Sequence, residues 1–317
     1  MKKIPEWQES DAPALRERLE ALSKPVVLRG LVKHWPATQS TDICSYLRGM
    51  EQQGAEVFAT KTRPGARGVM GYAEGLNDFN FVKAKLPFAE FIEVLEGYRS
   101  RGATVPVPSV AAQCARIRDT VPRFVEENRL QMLPATVEPN LWLGNALTVP
   151  VHHDHPHNIA CVVAGHRRFT LFEPEQVGNL YIGPLEYTPS GAPISVVDPH
   201  APDFERYPRW RTALDAAWVA ELGPGDALYI PPLWWHQVQA LDVVNLLVNY
   251  WWPVSVEQQQ LPSPVNTLLQ AIQVLNALPA AQRDAWASMF EHYVVQREQE
   301  PSAHIPDRRL GVLARRR

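Results

Sequence analysis

A chain of 317 residues, 45% hydrophobic and 21% charged, has an ordinary globular profile, which excludes collagen, a coiled coil and a disordered chain. The formal net charge is −3, from Lys+Arg 31 against Asp+Glu 34; without the basic excess of phosphate-neutralising proteins, no stable nucleic-acid binding is expected. Cys44, Cys114 and Cys161 stand far apart with no CxxC or Cys/His zinc spacing, which argues against a disulfide framework or structural zinc and fits a reducing compartment.

The N-terminus, MKKIPEWQESDAP, turns polar where a signal peptide needs an apolar stretch, and no apolar run approaches the roughly 20 residues of a membrane span. A cytoplasmic location without membrane attachment is expected. Residues 11–23 place Leu at helical spacing, with Asp11 as N-cap and Pro13 in the first turn. Pro25 to Gly30 reads as a buried strand, and a short helix follows Ser40. Lys61 to Leu76, rich in Gly and charge, reads as a loop, whereas Phe88 to Tyr98 and Thr120 to Leu130 have helical spacing.

From Leu141 the texture changes. LWLGNALTVPVHHD, NIACVV, RRFTLF, WVAEL, ALYIP, HQVQAL and VVNLLVNYWW are short β-rich runs separated by turn residues, the pattern of an antiparallel barrel or sandwich. The long Glu173–Ala217 connection carries Tyr181, Tyr187, Tyr207 and Trp210. It reads as a cover over a binding site or as aromatics packed on the barrel's outside. After Pro253 the pattern is helical again over 264–278 and 281–295, with Leu268, Leu269, Ile272, Leu275 and Leu278 along one face. That face suits folding back on the barrel or dimerisation equally. The expected fold is mainly β with accessory α: a β-barrel core flanked by N-terminal and C-terminal helices, over residues 1–253, and a helical extension over 254–317.

The candidate chemistry begins at Val151-His152-His153-Asp154-His155-Pro156-His157. Strand alternation points His152 and Asp154 one way and His153 and His155 the other. A histidine on a distant strand facing the same cavity would complete a metal site, and His236, after Pro231-Pro232-Leu233-Trp234-Trp235, meets that requirement. Two histidines and one carboxylate form the facial set of non-haem Fe(II) oxygenases. Spacing alone leaves three alternatives open: a surface histidine tract with adventitious metal binding, a His153/His155 pair on the opposite face, and His236 as a hydrogen-bonded core residue. In Arg167-Arg168-Phe169-Thr170-Leu171-Phe172, alternation puts Arg167 on the buried face of Phe169 and Leu171. A buried guanidinium needs an anion, which a dicarboxylate cosubstrate would supply; the alternatives are a buried acidic partner or escape to the rim. Asn158 and Asn249 could each donate an amide hydrogen bond to a metal-bound carboxylate, the alternative being an ordinary strand or turn asparagine.

The ordered motifs HHDHPHN, GHRRFTLFEP, LGPGDALYIPPLWWH and LVNYWW resemble those of the cupin-like JmjC proteins, whose branch with an asparaginyl hydroxylase has many bacterial members. Pro25 to Gly30 with His34-Trp35-Pro36-Ala37 resembles the start of that family, so the likeness runs from about Pro25 to Trp252. It implies a double-stranded β-helix (jelly-roll) core, Fe(II) and 2-oxoglutarate as cofactors, and hydroxylation or demethylation of a protein, peptide or amino-acid-like substrate. His152, Asp154 and His236 match the iron ligands, Arg167 the residue that grips the far carboxylate of 2-oxoglutarate, usually a Lys, and Asn158 and Asn249 match positions near its metal-bound end. The resemblance also implies a homodimer through the C-terminal helices. Two positions depart from the pattern: Val149 stands where relatives often have a Thr, and Pro108 to Gln113 lacks the corresponding Tyr. Those departures motivate the alternative of a non-catalytic metal- or ligand-binding cupin acting as a sensor or interaction module.

Overall fold

Residues along the later strands divide cleanly by parity. Leu141, Leu143, Ile159, Cys161, Val163, Tyr229, Leu246, Val248 and Trp252 belong to one buried cluster. Their neighbours Trp142, Ala160, Val162, Leu228 and Leu247 belong to another. A strand whose alternate side chains enter two different cores is buried on both faces, which is why His157–Ala164 reads as an almost unbroken apolar run.

The computed structural model describes residues 1–63, 65–101, 107–254, 263–295 and 302–311. Its strands are β1 (Lys2–Lys3), β2 (Glu6–Trp7), β3 (Val26–Leu28), β4 (Glu56–Thr62), β5 (Phe81–Pro87), β6 (Val110–Arg116) and β7 (Pro139–Gly144), followed by β8 (Leu147–His152), β9 (His157–Ala164), β10 (Arg167–Phe172), β11 (Trp218–Leu222), β12 (Ala227–Ile230), β13 (Trp235–Ala240) and β14 (Asn245–Trp252). They form a 5-stranded sheet in the order β1-β11-β10-β13-β8 and a 9-stranded sheet in the order β2-β3-β12-β9-β14-β7-β6-β4-β5. Strands β7 to β10 alternate between the sheets, β11 pairs beside β10 in the smaller one, and β12 to β14 alternate again, as the two walls of a double-stranded β-helix. The expectation of a mainly β jelly-roll core with flanking helices is met.

Three layers of apolar packing hold the barrel. Phe169, Leu171 and Ile230 fill the interior with the second cluster named above. The helices Pro13–Glu20, Ile43–Arg48 and Phe88–Ser100 contribute Leu19, Leu47, Phe91 and Leu95 to the layer outside the large sheet. Val151, Phe172 and Trp235 pack outside the small sheet against Leu180, Val197 and Trp210. Between β9 and β10 the chain turns at Gly165, whose φ is +70° and whose missing Cβ would come within 2.5 Å of Asn245 Oδ1 and 2.7 Å of the Val244 carbonyl. Only glycine fits there, and the turn sets the register that aims Arg167 inward.

Three local expectations change. Thr120–Leu130 is not one helix but two single turns, Ile117–Thr120 and Phe124–Glu127, because Pro122 between them can neither donate to nor continue a helix. Asp11 does not cap the first helix, which starts after Ala12 without a side-chain cap. Instead its carboxylate accepts the Gln131 and Met132 amides at 2.6 and 2.7 Å, fastening the N-terminus to the loop before β7. The charged stretch from Lys61 begins inside β4, which pairs with β5.

Two compact units result, Met1–Gln259 and Gln260–Arg317. The second contains the helices Pro264–Leu275 and Ala280–Phe290, in which Leu268, Ile272, Trp286 and Met289 are exposed.

Candidate metal centre and cosubstrate pocket

His152 ends β8 and lies directly across from His236 near the start of β13. The pairing slips by one residue between His236 and Val238. This bulge lets Val149 as well as His152 face the interior, where simple alternation would set them apart. Each imidazole is fixed by its own strand: His152 Nδ1 is 2.8 Å from the Pro150 carbonyl and His236 Nδ1 is 3.0 Å from the Trp234 carbonyl. A carbonyl only accepts, so Nδ1 carries the proton and Nε2 keeps a free lone pair.

Asp154 reaches the same point from the loop after β8. Its carbonyl accepts the Leu233 amide at 2.9 Å, and Leu233 adopts a left-handed φ of 64° in the turn leading to β13. One backbone bond therefore ties together the two segments that deliver the ligands. Asp154 Oδ2 is 3.6 Å from His236 Nε2, and one donor atom from each of His152, Asp154 and His236 lies within 4.8 Å of the others. No other such group of His, Cys, Asp and Glu occurs among the described residues. Burial, and then the neighbouring His152, push the His236 imidazole below its ordinary pKa. A neutral imidazole at His236 is the state in which that residue can bind a divalent metal.

The rival histidines lie elsewhere. The His153 ring stands edge-on to Trp235 at 4.5 Å and 5.3 Å from His155, with a buried Nδ1 that has no hydrogen-bond partner. Burial, reinforced by His155, pushes His153 down to about 4. The unfolded chain binds that proton near pH 6.5, so this contribution to stability is intact above about 6.5 and is lost as pH falls toward about 4. In the metal-free protein, His153→Phe should flatten this acid loss by about 1 kcal/mol, the side chain being only partly buried. Urea midpoints at neutral and acidic pH measure it; an unchanged pH slope would remove His153 from the titration.

Arg167 opens β10 and points into the barrel, where it lines a cavity of about 290 Å³ together with His152, Asp154, His236 and Trp142. It is buried. Its Nη2 donates to the Trp142 carbonyl at 3.2 Å, but its Nε has no partner. No ion pair to Arg167 occurs among the described residues. Burial alone pushes the guanidinium down to about 10, so it remains a cation at neutral pH. A buried cation with an unpaired N–H and no ion-pair partner, lining the cavity that also holds a metal donor set, is what a dicarboxylate bridging the two would satisfy.

Asn158 and Asn249 both reach the cavity wall, and their amides bond within the protein. Asn158 Nδ2 donates to Asp154 Oδ2 at 3.4 Å, and Asn249 Nδ2 donates to Asn158 Oδ1 at 3.1 Å.

Several wall residues escaped the sequence reading. Trp251 Nε1 donates to Asp154 Oδ2 at 3.2 Å, and Trp142 Nε1 donates to Asn249 Oδ1 at 2.8 Å. Strand parity with Asn249 and with Leu141 and Leu143 could have placed both indoles inside. Gln113, the last residue of the stretch that lacks the family's Tyr, and Cys114 after it line the cavity from β6. Lys83, which also lines it, donates to the Pro189 carbonyl at 2.7 Å. The Glu173–Ala217 connection takes both of its expected roles. Trp210, with Tyr181 and Tyr207 against it, packs outside the small sheet. Pro189, Ser190, Ala192 and Ile194 instead form part of the cavity wall, near where Tyr187 stacks on Phe79 at 4.7 Å.

A double-stranded β-helix whose interior presents two imidazoles and a carboxylate defines a metal-binding barrel of the type used by non-haem iron oxygenases. Residues 12–258 match the cupin-like domain family, and the chain belongs to it, in the JmjC branch of cupin-like 2-oxoglutarate oxygenases. It is 27% identical over 267 residues to the human bifunctional peptidase and (3S)-lysyl hydroxylase JMJD7, covering 74% of this chain and 79% of that protein. Jumonji C domain-containing protein 5 of Drosophila melanogaster is 29% identical over 253 residues, 76% of this chain and 58% of its own length. The lysine-specific demethylase JMJ31 of Arabidopsis thaliana is 31% identical over 132 residues, 41% of this chain and 22% of its own. The chain thus spans less than two thirds of the fly and plant proteins.

Proposed function

We propose that the protein is an Fe(II)- and 2-oxoglutarate-dependent oxygenase that hydroxylates or demethylates a protein, peptide or amino-acid-like substrate. His152, Asp154 and His236 would hold the iron, and Arg167 would hold the far carboxylate of 2-oxoglutarate. When bound, iron and keto acid couple O2 reduction to oxidative decarboxylation, giving succinate, CO2 and an oxidised substrate carbon. The observation that carries this reading is the buried Arg167, which lines the cavity of the metal donor set and has no hydrogen-bond partner at Nε.

The chain's own residues orient and exclude. The Trp142 carbonyl fixes the guanidinium, leaving further N–H groups for a carboxylate. Phe169, Ile230, Val238 and Leu247 make the surrounding wall apolar, which strengthens a charge pair formed there. Val149 contributes no hydrogen bond at its place in that wall, so Arg167 carries more of the cosubstrate's recognition.

The activities for which the human and plant relatives are named, lysyl hydroxylation and lysine demethylation, support a protein side chain as substrate. The unpaired Cys44, Cys114 and Cys161 support a cytoplasmic setting. The exposed Leu268 and Ile272 support the expected homodimer. No helix among the described residues is long and apolar enough to cross a membrane.

The test is anaerobic addition of 2-oxoglutarate to Fe(II)-loaded protein, read as a weak, saturable visible absorption band. Iron bound without such a band would overturn the oxygenase reading in favour of a non-catalytic cupin.

A further inference from the structure

A line of hydrogen bonds crosses the large sheet inside the barrel. Trp142 Nε1 donates to Asn249 Oδ1 at 2.8 Å, Asn249 Nδ2 to Asn158 Oδ1 at 3.1 Å, and Asn158 Nδ2 to Asp154 Oδ2 at 3.4 Å. Its polarity is fixed at both ends. An indole can only donate and an ionised carboxylate can only accept, so each amide between them has one orientation that satisfies the line. The strands β7, β14 and β9 that carry it are adjacent in one sheet, and Asn158 and Asn249 are buried. In such surroundings successive bonds polarise one another.

We propose that Trp142 is a positioning residue for the metal-binding carboxylate, acting on Asp154 through Asn249 and Asn158. The inference rests on the metal centre proposed above and adds to it a residue outside the ligand set. Trp142 also accepts Arg167 Nη2 on its backbone carbonyl at 3.2 Å. One residue therefore links the guanidinium to the carboxylate, and the two ends of the cosubstrate pocket share a fixed reference point. Trp251 Nε1 donates to the same Asp154 oxygen at 3.2 Å, so the carboxylate is held from two directions.

Trp142→Phe removes the first donor, keeps an aromatic ring against Trp251 (centroids 6.0 Å apart, edge-on) and leaves the carbonyl that receives Arg167. Titration of the full chain with Mn(II) should show binding weakened about tenfold, the lower range for partners that orient a ligand. Asn158→Ala should weaken binding at least as much. The double variant should be no weaker than Asn158→Ala alone, because the relay is already broken. A purely structural effect of the indole would add to the Asn158 loss, and additive losses, or an unchanged Trp142→Phe, overturn the relay.

Should Trp142→Phe fail to fold, the unmodified protein decides. Zn(II) should shift the assigned Trp142 indole N–H resonance while leaving that of Trp35, which donates to the Arg129 carbonyl, in place. A Trp142 resonance that stays fixed also overturns the relay. Wild-type protein that binds no Mn(II) would instead remove the metal centre itself, an outcome distinct from loss of the relay alone.

Discussion

Arg167→Met yields a protein that is more stable than the parent and nearly unable to use 2-oxoglutarate. The gain follows from removing a buried cation that no carboxylate among the described residues neutralises. Apolar replacement of buried charge is neutral or stabilising by about 1–4 kcal/mol, less here by the hydrogen bond lost at the Trp142 carbonyl. The pH sign agrees. Burial holds the Arg167 guanidinium down to about 10, so its destabilising effect is fully present at neutral pH. That effect is relieved only as pH rises through about 10 toward the unfolded value. The loss of function follows from the same charge: breaking a buried carboxylate–guanidinium pair costs about 3–5 kcal/mol, which raises the KM for 2-oxoglutarate about 10²- to 10³-fold. Urea unfolding and succinate formation measure the two halves. Saturating 2-oxoglutarate with metal should also raise the parent's stability by about 2.7 kcal/mol at a hundredfold excess over Kd, an effect lost in the variant. A destabilised Arg167→Met with unchanged KM would mean that the residue braces the fold and holds no cosubstrate.

Asp154→Ala should abolish coupled turnover. Partners that merely orient a ligand are worth 10- to 100-fold in metal affinity or activity, so removing the single carboxylate of the set should exceed about 100-fold. The variant also strips the acceptor from the Trp251 indole and the Asn158 amide and leaves two imidazoles that bind a divalent ion weakly. Succinate release above about one hundredth of the parent rate, at saturating iron, would place the metal elsewhere.

The barrel was legible because its strands are buried on both faces: unbroken apolar runs such as NIACVV, cut by turns at Gly165 and Gly225, leave few alternatives. The candidate donor set was legible as a cluster because His152 and Asp154 share one short segment and His236 follows a turn of its own. Less visible was anything that depends on how distant strands meet. The slip between His236 and Val238, which turns Val149 into the cavity, leaves no mark in either strand's sequence. Trp142 reads as one more aromatic in a hydrophobic strand until Asn249 is seen opposite its indole. Thr120–Leu130 differs for another reason: its helical spacing is interrupted by Pro122, which splits it into two single turns.

The strand that carries His152 is the last of its sheet, and a last strand ordinarily invites another backbone to pair with it. Here the invitation is closed. The Thr148 amide donates to Gly68 and its carbonyl receives Met70, the Val151 carbonyl receives Ser195, and between them Pro150 has no amide to offer. A polypeptide brought to this barrel would find no free backbone on the edge beside His152 to join as an added strand. Its recognition would fall to side chains of the cavity wall such as Lys83, Gln113, Ser190 and Trp251, and selection would turn on what an arriving residue is rather than on how its main chain runs.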